Sequence, residues 1–170
     1  NETIQKNLAK FASVCTGLDK CPNEKETING FEDDDGCPDK GPVKAIITRT
    51  NIQILDKIYF NTGKTTLKKE SFPVLDMVVS ILKTHTHIQM LEIQGHTDDV
   101  GDDNDNLKLS DGRAAEVMKY LVSKGIDAAR LRSKGFGETA PVADCKPLKG
   151  KALKECRANN RRVEFKILNQ

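Results

Sequence analysis

The fold is decided by three consecutive stretches: Ile88-Gln-Met-Leu-Glu-Ile-Gln-Gly95, the polar run that follows to Asn106, and Leu107-Lys-Leu-Ser-Asp-Gly-Arg-Ala-Ala-Glu-Val-Met-Lys-Tyr-Leu-Val-Ser123. The first is short, aliphatic and stopped by a glycine, which predicts a strand. The third sets Ala114, Val117, Met118, Leu121 and Val122 on one helical face, and Gly125 stands where a C′ glycine ends a helix. The segment between, Gly95 to Asn106, reads as a polar, acidic turn. A strand that feeds a helix through such a turn predicts a crossover, parallel strand neighbours and helices packed against a sheet.

The flanks agree with that unit. Ile54 to Phe60 is β-branched and aromatic enough for an earlier strand. Ser71 is placed as a helix N-cap with Pro73 in the first turn, and Leu75, Val78, Val79 and Leu82 follow at i, i+3, i+4 and i+7. After the second helix, Leu131 to Phe136 predicts a third strand. Val163, Phe165 and Ile167 then alternate with Glu164 and Lys166, as in a strand with one wet face. The order is strand, helix, strand, helix, strand, loop, strand, and the sheet is mixed if the last strand runs back.

At 170 residues the chain holds one ordinary domain with length to spare. Its 27 basic and 25 acidic residues leave a net charge of +2, which argues against nucleic-acid binding through bulk charge. No apolar run approaches the ~18 residues that span a bilayer as a helix. The chain starts at Asn1 without a leader-type apolar stretch, so it is expected to be a piece of something longer. Composition shifts near Gly41-Pro42. Before that point Leu18 to Asp39 is nearly devoid of apolar residues and rich in Asp and Glu, so it must be disordered, cross-linked or held by cations. The expected organisation is an N-terminal segment over 1–16, helical or disordered, an acidic linker over 17–44 and a folded domain over 45–170.

The five cysteines are Cys15, Cys21, Cys37, Cys145 and Cys156, and none forms a Cys-x-x-Cys pair. Cys145 and Cys156 bracket a Lys-rich loop, where a bridge would contribute about 2–3 kcal/mol by pinning the segment. Disulfides persist in oxidising compartments, which predicts a periplasmic, outer-membrane or extracellular setting.

Several motifs are excluded by residue identity or spacing. Gly63-Lys64-Thr65 follows a strand as a phosphate loop would, but the required earlier glycine is Ile58. Asp33-Asp34-Asp35-Gly36 fails the EF-hand spacing at Phe31 and Pro42. His85 and His87 precede the second strand while His96 follows it, so the three do not converge on zinc. No side-chain set pairs a nucleophile with a base, and the chain is read as a binding protein rather than an enzyme.

One constellation remains. Asp98 lies just past the C-terminal end of a strand, where open α/β sheets place their ligands. Arg113 sits in the first turns of the following helix, near its exposed amides. A carboxylate and a guanidinium so placed can take the ammonium and carboxylate of a zwitterion such as an amino acid. The competing reading is an intrachain Asp98–Arg113 salt bridge that only pins the loop.

Gly95-His-Thr-Asp98, Gly101, Asn106, Leu109-Ser110, Arg113-Ala114, Tyr120-Leu121 and Gly125 resemble the core of the OmpA-like C-terminal domain family. The likeness runs from Ile58-Tyr-Phe-Asn-Thr-Gly63 through Gly135-Phe-Gly-Glu138 and Pro141 to Arg157-Ala-Asn-Asn-Arg161-Arg-Val-Glu164. It implies an α+β, βαβαββ sandwich whose mixed sheet carries its helices on one face. It also implies non-covalent binding of peptidoglycan, through the diaminopimelate of the stem peptide, at the periplasmic face of a Gram-negative outer membrane. By resemblance Asp98 takes the diaminopimelate ammonium and Arg113 its carboxylate. Thr97 and Asn106 line the pocket, Gly63 belongs to the loop of its opposite wall, and Arg161 is a further candidate. The chain departs from the family in that loop, at Asn61 and Gly63. Cys145 and Cys156 fall in the variable loop where some members carry a disulfide.

Residues Asp19 to Asp39, with Cys21 and Cys37, resemble a thrombospondin type 3 repeat. That resemblance implies calcium held by Asp19, Asn29, Asp33 and Asp35, and no other cofactor. Two alternatives accompany the wall-anchor reading: a calcium-dependent adhesion or structural module, and a stator- or lipoprotein-type wall linker. Homodimerisation is left open.

Overall fold

The computed structural model describes residues 27–28 and 45–169, and the chain divides between Ile47 and Thr48 into two units. In the first, β1 (Thr27–Ile28) pairs antiparallel with β2 (Ala45–Ile47), Thr27 opposite Ile46 and Ile28 opposite Ala45. The segment 1–16, Cys15, Cys21, Cys37 and the calcium candidates Asp19, Asn29, Asp33 and Asp35 lie outside the described residues.

The second unit runs β3 (Asn51–Ile54), α1 (Phe72–Thr84), β4 (Met90–Gly95), α2 (Asp103–Ser123), β5 (Leu131–Gly135), α3 (Gly150–Asn160) and β6 (Val163–Asn169). Its sheet order is β3-β6-β4-β5. β4 and β5 are parallel, joined by the α2 crossover, and β6 runs back antiparallel between β3 and β4. This is the mixed sheet of an α+β fold. One face gathers Ile52, Leu91, Ile93, Leu131, Phe165 and Ile167, all buried. α2 packs along β4 and β5, and α1 packs against α2. The α1 stripe Leu75, Val78, Val79 and Leu82 is buried, as are Ala114, Val117 and Leu121 of α2, whereas Val122 faces outward at 39% exposed.

Four local expectations need correction. The first strand ends at Ile54 instead of running to Phe60. The backbone beyond it turns to other partners: the Ser71 hydroxyl accepts from the Tyr59 amide at 2.6 Å and donates to the Tyr59 carbonyl at 3.0 Å, and Phe60 bridges to Leu67. Ser71 therefore precedes α1 as expected, but its hydroxyl braces this loop and does not cap the helix. The second helix begins at Asp103 and not Leu107, because the Asp102 carboxylate accepts from the Asn104 and Asp105 amides. Asp103 and Asp105 then sit in the first turn, where the helix dipole favours them. Finally, the expected loop before the last strand contains α3. Only Cys156 and Asn160 of that helix are buried, so its apolar periodicity is too thin to read. A Cys145–Cys156 disulfide, with Cα atoms 5.7 Å apart, ties it to the preceding loop.

The close approach of α2 to the sheet is set by two glycines that lie opposite each other in the β4–β5 register, Gly95 and Gly135. A Cβ on Gly95 would overlap the Ser110 carbonyl oxygen, and one on Gly135 would overlap the Asp111 amide nitrogen. Ser110 and Asp111 also bond to this strand end: the Ser110 hydroxyl accepts from Gly137 N at 2.9 Å, and an Asp111 carboxylate oxygen from Gly135 N at 3.0 Å. Gly135→Ala is expected to force α2 off the sheet and destabilise the fold by roughly 1–3 kcal/mol. Urea unfolding measures this, and an unchanged midpoint would contradict the packing described.

Candidate ligand site at the end of strand β4

The chain beyond β4 is fixed residue by residue. Phe136 N donates to Gly95 O (2.9 Å), His96 N to Arg162 O (3.0 Å) and Thr97 N to Gly137 O (2.8 Å). Asp98 follows, and an oxygen of its carboxylate accepts from Val100 N at 3.3 Å. Its other oxygen is ion-paired with Arg161 Nη1 at 2.5 Å, the Asp98 side chain being only 12% exposed. Asn106, in the first turn of α2, donates its amide to the carbonyls of Asp98 and Val100 and to Glu138 Oε2 at 2.8 Å. It thereby holds the turn over residues 98–100 in shape.

Arg113 does not pair with Asp98. Its Nε donates to the Lys64 carbonyl at 3.2 Å, and its guanidinium lies over the Phe60 ring, 5.1 Å from the centroid. Burial, and then the positive charge of Arg161, lower its pKa from the usual arginine range, with Asp98 opposing. The plain Asp98–Arg113 salt bridge is thus not formed. Instead two guanidiniums act on one carboxylate, Arg161 in contact with it and Arg113 through its field.

A cavity of about 300 Å³ opens beside Asp98, lined among others by Thr97, Asp99, Glu138, Asp144 and Lys146, with Cys145 in its wall. Its lining carries four carboxylates and one ammonium, and two of those carboxylates, Asp98 and Asp99, are already paired with arginines. Thr97 is 3% exposed and its hydroxyl meets no hydrogen-bond partner. Asn160 shapes the far wall: its amide accepts from Val142 N and Ala143 N and donates to Ala143 O. Arg157 grips Asp99 with two bonds of 2.6 and 3.1 Å.

Of the sequence candidates, Thr97, Asp98 and Arg161 come together, with Arg113 close enough to feel both charges. Asn106 stands behind them as a brace. Gly63 is exposed on the turn 61–64, where its φ of +64° suits glycine, and it reaches the site only through its neighbour Lys64. Glu138, Asp99, Arg157 and Asn160 were not foreseen as site residues. Glu138, Arg157 and Asn160 stand within the motifs that carry the resemblance, but the pairing of Arg157 with Asp99 joins positions far apart in the chain, which no local spacing signals. Arg162 is structural: it bonds to Glu164 and to the carbonyls of Asn160 and Ala140. Among the described residues no group of three His, Cys, Asp or Glu side chains is placed to hold a metal ion.

With this geometry in view the relationships are direct. Residues 59–155, more than half of the chain, match the OmpA family. The chain belongs to the OmpA family. The OmpA-family chain is 41% identical over 115 residues to outer membrane protein A of Serratia odorifera, a match spanning 65% of this chain and 47% of that protein. It therefore spans about half the length of this curated relative. Among solved structures, the peptidoglycan-associated lipoprotein of Burkholderia pseudomallei superposes with a TM-score of 0.55 at 27% identity, covering 65% of this chain and 89% of that one. The cell wall anchor of the type VI secretion system of Pseudomonas aeruginosa gives 0.53 at 29% identity, covering 65% and 75%.

His96 is buried at 3% exposed, stacked on Phe136 with ring centroids 5.2 Å apart, and neither ring nitrogen has a partner. Burial first, and then the Arg162 charge, lower its pKa from 6.5 to about 4, while Glu164 opposes. The unfolded chain therefore binds a proton that the folded chain refuses, and stability falls as pH drops from 6.5 towards 4. His96→Leu is expected to flatten this slope between pH 7 and 5. Urea midpoints measured across that range check it, and identical slopes in parent and variant would refute it.

Proposed function

We infer that this OmpA-family domain binds peptidoglycan non-covalently, by gripping the free zwitterionic end of the stem-peptide diamino acid, diaminopimelate, and so tethers an outer-membrane protein to the cell wall. The observation that carries the reading is the arrangement at the end of β4. A carboxylate, Asp98, lines the cavity, is ion-paired with Arg161 and lies within the field of Arg113. A ligand ammonium would share Asp98 with Arg161 and enter the cavity, where the unpartnered Thr97 hydroxyl can accept from it. The adjacent ligand carboxylate would take the Nη groups of Arg113, whose Nε is already used by Lys64. Two structural neighbours, a peptidoglycan-associated lipoprotein and a cell wall anchor, support this class of partner. The function so read is structural anchoring at the periplasmic face of a Gram-negative outer membrane, with no chemical step.

Arg113→Ala is expected to weaken binding by roughly 2–5 kcal/mol, because a desolvated ligand charge loses its partner. Sedimentation with purified sacculi, and calorimetry with a soluble diaminopimelate tripeptide, measure the loss. Acetylating the side-chain amine of that tripeptide should abolish binding as well. Undiminished retention of Arg113→Ala on sacculi would remove the assigned role.

A further inference from the structure

An arginine within the field of a buried carboxylate, as Arg113 is of Asp98, ought to close onto it, since a direct ion pair is worth more than attraction at a distance. Arg113 has not done so, and the loop of residues 60–67 is the reason. Phe60 lies under its guanidinium, and the Lys64 carbonyl takes its Nε hydrogen. The loop itself is braced. Phe60 bridges to Leu67, Asn61 N donates to Thr66 O (3.0 Å), Lys64 N to Asn61 O (2.9 Å) and Lys68 N to Tyr59 O (2.9 Å). It is also keyed to α2 one residue before the arginine. A Cβ on Gly112 would stand 2.6 Å from the Thr65 methyl group, so this helical glycine leaves room for the loop. Glycine in a helix interior is less favourable than alanine, so the close fit is gained against helix propensity.

We propose that loop 60–67 is the positioning element of the site: Phe60 and the Lys64 carbonyl hold the Arg113 guanidinium away from Asp98, leaving its two terminal nitrogens for a ligand carboxylate. Phe60 and Lys64 are positioning residues and need not touch the ligand. The division of labour follows. Arg161 neutralises Asp98 in the free protein, while Arg113 stays available. This inference rests on the zwitterion reading above and adds the element that keeps the carboxylate-binding arm preorganised.

The test compares Phe60→Leu, Phe60→Trp, Gly112→Ala and Arg113→Ala, with affinity for the diaminopimelate tripeptide measured by calorimetry and unfolding midpoints measured alongside. Phe60→Leu removes the ring beneath the cation and should weaken binding roughly 3- to 30-fold, with Phe60→Trp restoring it. Gly112→Ala should displace Thr65 and weaken binding while the unfolding midpoint holds or rises, an outcome that mere loss of structure does not produce. It also serves if Phe60→Leu fails to fold. If Arg113→Ala loses affinity while Phe60→Leu and Gly112→Ala bind like the parent, the positioning role is wrong and the zwitterion reading survives. If Arg113→Ala binds like the parent, that reading falls, and the positioning role with it.

Discussion

The contact on which the rest depends is backbone against backbone: α2 resting on the Gly95–Gly135 pair. Without side chains at these opposed positions the helix comes within reach of the strand ends, and the Ser110 hydroxyl and Asp111 carboxylate bond directly to the chain leaving β5. That approach places two things at once. The segment leaving β4 carries Asp98, and α2 carries Asn106 in its first turn and Arg113 about two turns further on. A helix held further out would still bury its apolar stripe against the sheet. It would lose the bonds from Asn106 to the carbonyls of Asp98 and Val100, and with them the shape of the turn. The glycines are therefore as much a part of the site as the charged residues.

The electrostatics are those of an incomplete assembly. Asp98 is paired, Asp99 is paired, and Asn106 ties down one oxygen of Glu138, yet the cavity between them remains acidic and the Thr97 hydroxyl is left without a partner. Buried hydroxyls that lack a hydrogen bond are unfavourable by about 1–3 kcal/mol. A chain selected for stability alone would fill such a position with valine. Leaving a hydrogen-bonding group unpaired next to surplus carboxylates is understandable if a ligand donor completes the set, which is how strained or unsatisfied groups come to gather at binding sites.

Periodicity made the sheet and both long helices legible, because their apolar residues recur with the period of the element that buries them. Where the element is held by something other than an apolar stripe, the pattern fell silent. α3 is anchored by one disulfide and by Asn160, so its lysine-rich sequence reads as loop. The sequence overruns the end of β3 because Tyr59 and Phe60 have strand-like side chains, while the backbone there is claimed by the Ser71 hydroxyl and by Leu67. At the site, Asp98 and Arg113 could be picked out by type and position. Their partners could not. Arg161 and Asp98 are separated by 63 residues, and Arg157 and Asp99 by 58, and only the insertion of β6 between β3 and β4 brings them together.

That insertion also decides which charges meet. Because β6 runs antiparallel to β4, its first residues lie beside the last residues of β4, and Val163 pairs with Gly95. The two residues before β6 are Arg161 and Arg162, so a strand entering from α3 necessarily delivers a pair of guanidiniums to the place where Asp98 emerges. Their environments then separate them. Arg162 is absorbed by Glu164 and two carbonyls and holds the loop before α3, whereas Arg161, at 47% exposed, keeps contact with solvent and with one carboxylate. The pair is therefore lopsided, open to solvent on the arginine side and buried on the carboxylate side. On the function proposed above, a ligand that brings both charges would offer Asp98 an ammonium and the arginines a carboxylate. A simple cation or a simple anion would satisfy only one side of that arrangement, which is why the proposed ligand is a zwitterion.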